Sequence, residues 1–241
     1  MSEHHFFVEP PGIVDGVVTL EGEEGRHASR VLRVRPGEAI TVADGSGRMI
    51  LATVREADDV VIAEVVKEAY VAQVRPAITV FQALAKKDRF DAVVEKATEV
   101  GVVRIVPFAA ERSVVRFDEK KMSRSVDRWS AIARAAAKQS KAARIPEVAL
   151  PGSIETFAQL LGLRIALHEA SDRPLRDALP PEPPDELALL VGPEGGLSER
   201  EVNVLTDAGA DVVTLGPRVL RTETAGTVAA AIIAFVYGSL G

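Results

Sequence analysis

Two short stretches of this chain carry residue types that could hold or transform a ligand. The first is Leu189-Leu190-Val191-Gly192-Pro193-Glu194-Gly195-Gly196-Leu197-Ser198, an apolar segment running into a glycine-rich turn. Three glycines let the backbone come close to a flat ligand and offer it amides and carbonyls. Ser198 with Glu201 three residues later forms a capping box, so a helix should open there. The turn is neither a dinucleotide GxGxxG nor a phosphate loop, and Glu194 would repel a phosphate. The second stretch runs from Leu215 to Gly226, again behind an apolar segment. Arg218, Arg221 and Glu223 crowd a loop ahead of an almost wholly apolar helix that Thr222 or Thr224 can cap. Spacing alone also allows a plain strand-to-helix turn for the first and an ion-pair network for the second.

A third stretch, residues 134–146, contains no acid. Arg134, Lys138 and Lys141 fall at i, i+4 and i+7, one face of a helix suited to phosphates, or simply to solvent. In the N-terminal part, Arg26, Arg30 and Arg33 share a face if that piece is helical, and Pro36-Gly37 should stop it.

The elements that must position these residues change in texture near Val74-Arg75-Pro76. Before that point lie β-branched runs at 16–20, 39–42 and 60–66, separated by turns such as Asp44-Gly45-Ser46-Gly47, the density of a small barrel. After it, strands alternate with helices. Strands are expected at 77–83, 104–108, 164–168, 187–191 and 212–215, and helices at 88–100, 122–143, 198–208 and 224–240. This is the pattern of a parallel sheet covered on both faces. Ligands in such sheets bind beyond the carboxyl ends of strands, where both loops would lie.

With 241 residues, 47% of them hydrophobic, the chain has material for one or two cores. Having no cysteine, it has no disulfide, zinc–thiolate site or cysteine nucleophile, and its histidines (4, 5, 27 and 168) show no ligand spacing, so no metal is expected. The N-terminus lacks a signal-peptide pattern and the apolar run at 225–237 is too short for a bilayer, so a cytoplasmic protein without membrane contact is expected. The net charge of −6 is unevenly spread. Residues 1–85 hold 8 basic and 13 acidic side chains, 86–144 hold 15 and 8, and 145–241 hold 6 and 14. A basic middle can steer a polyanion to one face, or it can be a solvated helical surface.

Together these segments resemble a known family. "LLVGPEGGLSEREV", "LGPRVLRTETA" and "QSKAARIPEV", preceded by "RFDAVVEKATEVGVVRIVPFAAERS", are similar to the RsmE family of 16S rRNA uridine-N3 methyltransferases. "RHASRVLRVRPGEAITVADGSG" resembles the PUA-like barrel of the same family. The resemblance implies an α/β fold with a PUA-like RNA-binding β-barrel at 1–72. A SPOUT-type parallel-sheet domain, its C-terminal segment in a trefoil knot, would fill 73–241. It further implies a homodimer that uses S-adenosylmethionine (SAM) to methylate a decoding-region helix of 16S rRNA in the small ribosomal subunit. SAM would contact Leu167 and His168, the Val191, Gly192, Pro193, Glu194, Gly195 and Gly196 turn, Leu215, Gly216, Val219 and Leu220, and Thr222, Thr224 and Ala225. Arg26, His27, Arg30, Arg33, Arg134, Lys138, Gln139, Ser140, Lys141 and Arg144 would meet the RNA. Ala142 departs from relatives, which carry an arginine there.

Uracil N3 holds its proton at neutral pH, so methyl transfer needs a base, or donors that stabilise the anion. Arg221 is the candidate to hold a uracil carbonyl, and Glu223 to orient it or relay the proton. Two alternatives stay open: a knotted enzyme with another target, such as a ribose hydroxyl, and an RNA-binding protein without transfer activity.

Overall fold

Along Arg48–Ala57 every second side chain, Ile50, Ala52 and Val54, is buried, the two-residue period of a strand with one face on a core. In this computed structural model, which describes residues 4–9, 12–85, 87–113 and 119–240, that strand is β5 of a six-stranded sheet. The chain divides into two compact units, residues 1–73 with 137–145, and residues 74–136 with 146–241.

In the first unit β1 (His5–Phe7), β2 (Ile13–Val14), β3 (Val17–Leu20), β4 (Ala39–Ala43), β5 and β6 (Val61–Tyr70) stand in the order β1-β4-β5-β6-β3-β2. All pairs are antiparallel except β1 with β4. This is the mostly antiparallel β region expected at the N-terminus, with β1 and β2 at the two ends of the strand order. Phe6, Leu20, Ile40, Ile50 and Val61 fill its core. The β4–β5 turn at Asp44–Gly47 is as expected, with the Asp44 carboxylate accepting from the Ser46 amide and hydroxyl at 2.8 Å.

Helix α1 (Gly22–Arg26) continues as a π-helical turn, His27–Val31. It ends before Pro36-Gly37, because Arg33 already has φ +55° and leaves the helical path. Arg33 therefore does not share a helical face with Arg26 and Arg30.

In the second unit β7 (Ala77–Ala83), β8 (Arg104–Phe108), β9 (Glu147–Val148), β10 (Leu163–Leu167), β11 (Glu186–Val191) and β12 (Asp211–Val213) form a wholly parallel sheet, ordered β12-β10-β11-β7-β8-β9. Phe81, Ala83, Ala188 and Leu190 face one core with Phe157 and Leu205 from α4 (Ile154–Ala158) and α5 (Glu199–Asp207). On the other face α6 (Thr222–Val236) packs on β11, β7 and α2 (Lys87–Glu99). Gly226 permits the close approach: a Cβ there would stand 3.1 Å from Val191 Cγ2 and 3.0 Å from Gln82 Oε1.

Helix α3 (Glu119–Gln139) stops four residues short of the expected end. Lys141 has φ +56°, and the Ala142 amide bonds back to the Ala137 carbonyl at 2.9 Å, closing the helix. Lys141 thus lies off the helical face that carries Arg134 and Lys138.

Candidate functional site

Leu167, Val191 and Val213 occupy one row of the sheet, since Leu167 pairs in register with both of the others. Because the three strands are parallel neighbours, the loops that leave their carboxyl ends converge. They enclose a cleft of about 350 Å³, bounded by Leu167, His168, Glu169, Val191, Gly192, Pro193, Glu194, Gly196, Leu215, Gly216, Val219, Leu220, Arg221, Thr222 and Ala225. Leu197, Thr214, Pro217 and Arg218 complete the lining. Of the residues expected at a ligand, Gly195, Glu223 and Thr224 stand outside it. Thr224 is two residues, or 200°, around α6 from Thr222, and so points the other way.

The glycine turn is held in shape from several sides. Gly196 has φ +70°, and a Cβ on it would reach within 3.0 Å of Glu169 Oε1, so glycine is required. The capping box forms as expected: Ser198 Oγ accepts from the Glu201 amide at 3.2 Å, and Glu201 Oε2 accepts from the Ser198 amide at 2.7 Å. The other Glu201 oxygen accepts from the Glu111 amide at 2.8 Å, which anchors this buried carboxylate to the segment after β8. Hydrogen bonds from the Ser198 hydroxyl and the Arg200 guanidinium hold the Glu111 carboxyl below its ordinary range. Arg112 Nη1 donates to the Gly195 carbonyl at 3.1 Å.

At the start of α6 the N-cap is Arg221, whose side chain makes no capping bond. Neither threonine caps the helix. Thr222 turns inward, where its hydroxyl donates to the Gly192 carbonyl at 2.6 Å and accepts from Gln82 Nε2 at 2.9 Å. Gln82 is fully buried in β7.

The expected ion-pair network is arranged differently. Glu223 faces Arg89 of α2, with Arg89 Nε 3.8 Å from its Oε1, and Arg89 Nη1 donates to Glu194 Oε1 at 2.7 Å. The side chains of Arg218 and Arg221 have no hydrogen-bond or ion-pair partner among the described residues, and both are exposed at the cleft. Sequence reasoning missed Gln82, Arg89 and Arg112. Only topology brings them to the loops around the cleft: β7 lies beside β11, α2 beside α6, and Arg112 follows β8, the neighbour of β7. A glutamine amid the apolar run Ala77–Ala83 was the one visible signal.

Among the expected RNA-facing residues, the side chains of Arg30, Lys138 and Arg144 are visibly engaged within the protein. Arg26 and Arg33 are exposed, and His27 lies on the π-helical turn with its pKa lowered first by burial and then by the Lys138 charge. Arg30 pairs with Asp59 at 2.7 Å. Lys138 pairs with Glu24 at 2.6 Å and stands 5.0 Å above the Phe6 ring. Arg134 lies on α3, while Gln139, Ser140 and Lys141 are exposed at its end. Arg144 is turned into the first unit, donating to the Ser46 carbonyl, to Tyr70 Oη at 2.9 Å and to the Val71 carbonyl at 3.1 Å.

Comparison with known proteins matches an RNA methyltransferase domain to residues 73–234 and an RNA methyltransferase PUA domain to residues 20–63. Ribosomal RNA small subunit methyltransferase E of Mycobacterium bovis is 38% identical over 232 residues, covering 93% of this chain and 88% of its own. The Bacillus subtilis protein of that name is 32% identical, with 90% and 89% covered. The crystal structure of the Neisseria gonorrhoeae ribosomal RNA small subunit methyltransferase E bound to S-adenosyl methionine superposes with a TM-score of 0.85 at 30% identity, covering 97% of this chain and 98% of its own. With a domain model matched over more than half its residues and relatives aligned along nearly its whole length, the chain belongs to the ribosomal RNA small subunit methyltransferase E family.

Proposed function

We propose that this protein is a SAM-dependent methyltransferase acting on uridine N3 in a decoding-region helix of 16S rRNA, in the cytoplasm and as a homodimer. The observation that carries the reading is the cleft at the ends of β10, β11 and β12, with two arginines at its rim that have no side-chain partner among the described residues. Its residues fit SAM. The volume lies in the range of roughly 300–1,000 Å³ usual for small-molecule sites. Gly196 and Gly216, both with positive φ, expose backbone to a flat ring, and buried His168 Nδ1 has no hydrogen-bond partner.

SAM, when bound, supplies an electrophilic methyl group. The glycine turn and the backbone of residues 215–220 hold the cofactor, so the reacting atoms meet without an entropic search. Arg221 donates to a uracil carbonyl and stabilises the negative charge left when N3 loses its proton. Glu223, outside the lining, orients this region from the first turn of α6 or takes the proton onward. The exposed basic groups Arg26, Arg33 and Lys141, with His27, Gln139 and Ser140, grip the RNA backbone and fix its position without reading sequence, and half-buried Arg134 on α3 adds a further basic group. Arg30, Lys138 and Arg144, engaged within the protein, shape that surface.

Two further parts belong to the proposal. The trefoil knot is supported by the path of the chain: α6 follows the edge strand β12, yet packs on β11 and β7, two and three places across the sheet. The homodimer is supported by Ile232, Phe235 and Val236, exposed at i, i+3 and i+4 on one face of α6.

The test is methyl transfer to small subunits from cells lacking this modification, followed by digestion of the RNA to nucleosides. 3-Methyluridine is the expected product. A methyl on ribose, or none, overturns the proposal.

A further inference from the structure

We infer that Arg89 is a positioning residue that couples the glycine turn to Glu223, and this rests on the methyltransferase reading above. Arg89 lies in α2 and belongs to neither ligand loop. Its guanidinium nonetheless stands between acids from two of them: Nη1 is 2.7 Å from Glu194 Oε1, in the turn after β11, and Nε is 3.8 Å from Glu223 Oε1, in the first turn of α6. The planar fork of an arginine can address two carboxylates in different directions, which a lysine ammonium on its single stem does less well. The three side chains are 40%, 36% and 17% exposed. The Arg89–Glu194 pair is open enough to solvent to add little to folding stability, so geometry and local charge are what it contributes.

The consequence falls on Glu223. One oxygen faces Arg89, while the other, Oε2, is buried and has no hydrogen-bond partner. Removing Arg89 would leave a largely buried carboxylate without its counter-charge, two residues along the chain from Arg221, the residue assigned to the uracil. Glu194 would also lose one of the ties that hold the turn from outside the cleft. Arg89 thus lets the placement of the turn bear on the placement of Glu223, and ligand loading on catalytic competence.

The test is a double-mutant cycle in methyl transfer to unmodified small subunits, joined to a spectroscopic readout that needs no turnover. Arg89→Met should lower kcat about tenfold or more while SAM affinity, measured by calorimetry, changes less than about threefold. Arg89→Lys should recover part of that loss. In a Glu223→Gln background, Arg89→Met should cost almost nothing further in kcat, because residues acting through one another are not additive. In 13C spectra, with side chains assigned from the Gln variants, the Glu194 and Glu223 carboxylate resonances should both move in Arg89→Met. If only the Glu194 resonance moves, or the kcat losses multiply, the coupling is overturned. Lack of wild-type turnover would overturn the methyltransferase reading instead, and the carboxylate spectra would still decide the role of Arg89.

Discussion

The Thr222 hydroxyl is joined to the Gly192 carbonyl across 2.6 Å, so the first turn of α6 is fastened to the turn that follows β11. The same hydroxyl accepts from Gln82 Nε2, which extends the chain into the middle of the sheet. Three elements distant in sequence therefore share one buried polar thread, each member of which depends on the next. Thr222→Val keeps the shape and removes the hydroxyl. It leaves a carbonyl and an amide short of partners, and should destabilise the fold by about 1–3 kcal/mol. Chemical denaturation measures that loss, and calorimetry should show weaker SAM binding as the turn loosens. An unchanged midpoint would mean that the thread carries no load.

Arg221 has no side-chain partner among the described residues, so its removal should leave the fold intact. Arg221→Ala is expected to lower methyl transfer by about a hundredfold or more, the scale of losing a donor to a developing anion. SAM affinity should fall only modestly. Turnover at the wild-type rate would remove Arg221 from the mechanism.

Arg144 offers the opposite case. Its guanidinium is spent on Ser46, Tyr70 and Val71, and lies 5.2 Å from the Tyr70 ring. Arg144→Ala should cost about 1–3 kcal/mol in stability through the partners it strands. The salt dependence of RNA binding should stay as in wild type. Arg26→Ala, by contrast, should reduce the slope of log K against log salt by about one while leaving stability unchanged. A reduced slope in the Arg144 variant would return that residue to the RNA contact set.

His5 should give the first unit a pH dependence whose sign follows from its burial. Burial holds its pKa below the ordinary 6.5, helped by the Lys138 and Lys141 charges and opposed by the bond to the Ala142 carbonyl. The ring lies with Nε2 3.2 Å from the Ala142 carbonyl and Nδ1 3.0 Å from the Thr41 hydroxyl, which itself donates to the His4 carbonyl at 3.1 Å. The unfolded chain binds a proton that the folded chain refuses. This contribution to stability is therefore complete above pH 6.5 and is lost as pH falls from there toward the lower folded value. Melting temperature followed over roughly pH 5 to 7.5 should decline on the acid side, and less steeply in His5→Gln. Equal slopes would contradict the assignment.

Phe235, 70% exposed on α6, tests the homodimer. Phe235→Glu should convert the protein to monomer in light scattering with little effect on melting, because a charge in an apolar interface must be desolvated. An unchanged mass would place the dimer contact elsewhere.

Much of the second unit was legible in the sequence because its strands are short apolar runs and its helices carry clear stops. β7 and β8 match the expected bounds residue for residue. The first unit was less legible. β5 mixes Ala52 and Thr53 into its alternation, and β1 and β2 span only two or three residues, too few to show a period. The end of α3 was misplaced because Lys141 adopts a left-handed conformation that usually announces itself as glycine.

The cleft followed from two motifs, but its supports did not. Arg89, Arg112 and Gln82 each lie more than 80 residues from the loop they hold, and nothing in local spacing links them. The two threonines of the RTET stretch looked alike as caps. Only the packing of α6 on β7 decided that Thr222 turns inward while Thr224 stays in solvent.

The shared row of Leu167, Val191 and Val213 sets a common floor beneath three loops of different length. A strand advances by about 3.3 Å per residue and alternates its faces, so one inserted residue in β11 would lift the glycine turn off that floor and reverse its side chains. Substitutions in the loops adjust the walls, whereas a frame error in any of the three strands tilts the floor itself. Tolerance to insertion should therefore fall abruptly at these three residues, a boundary that insertion scanning along the chain would trace.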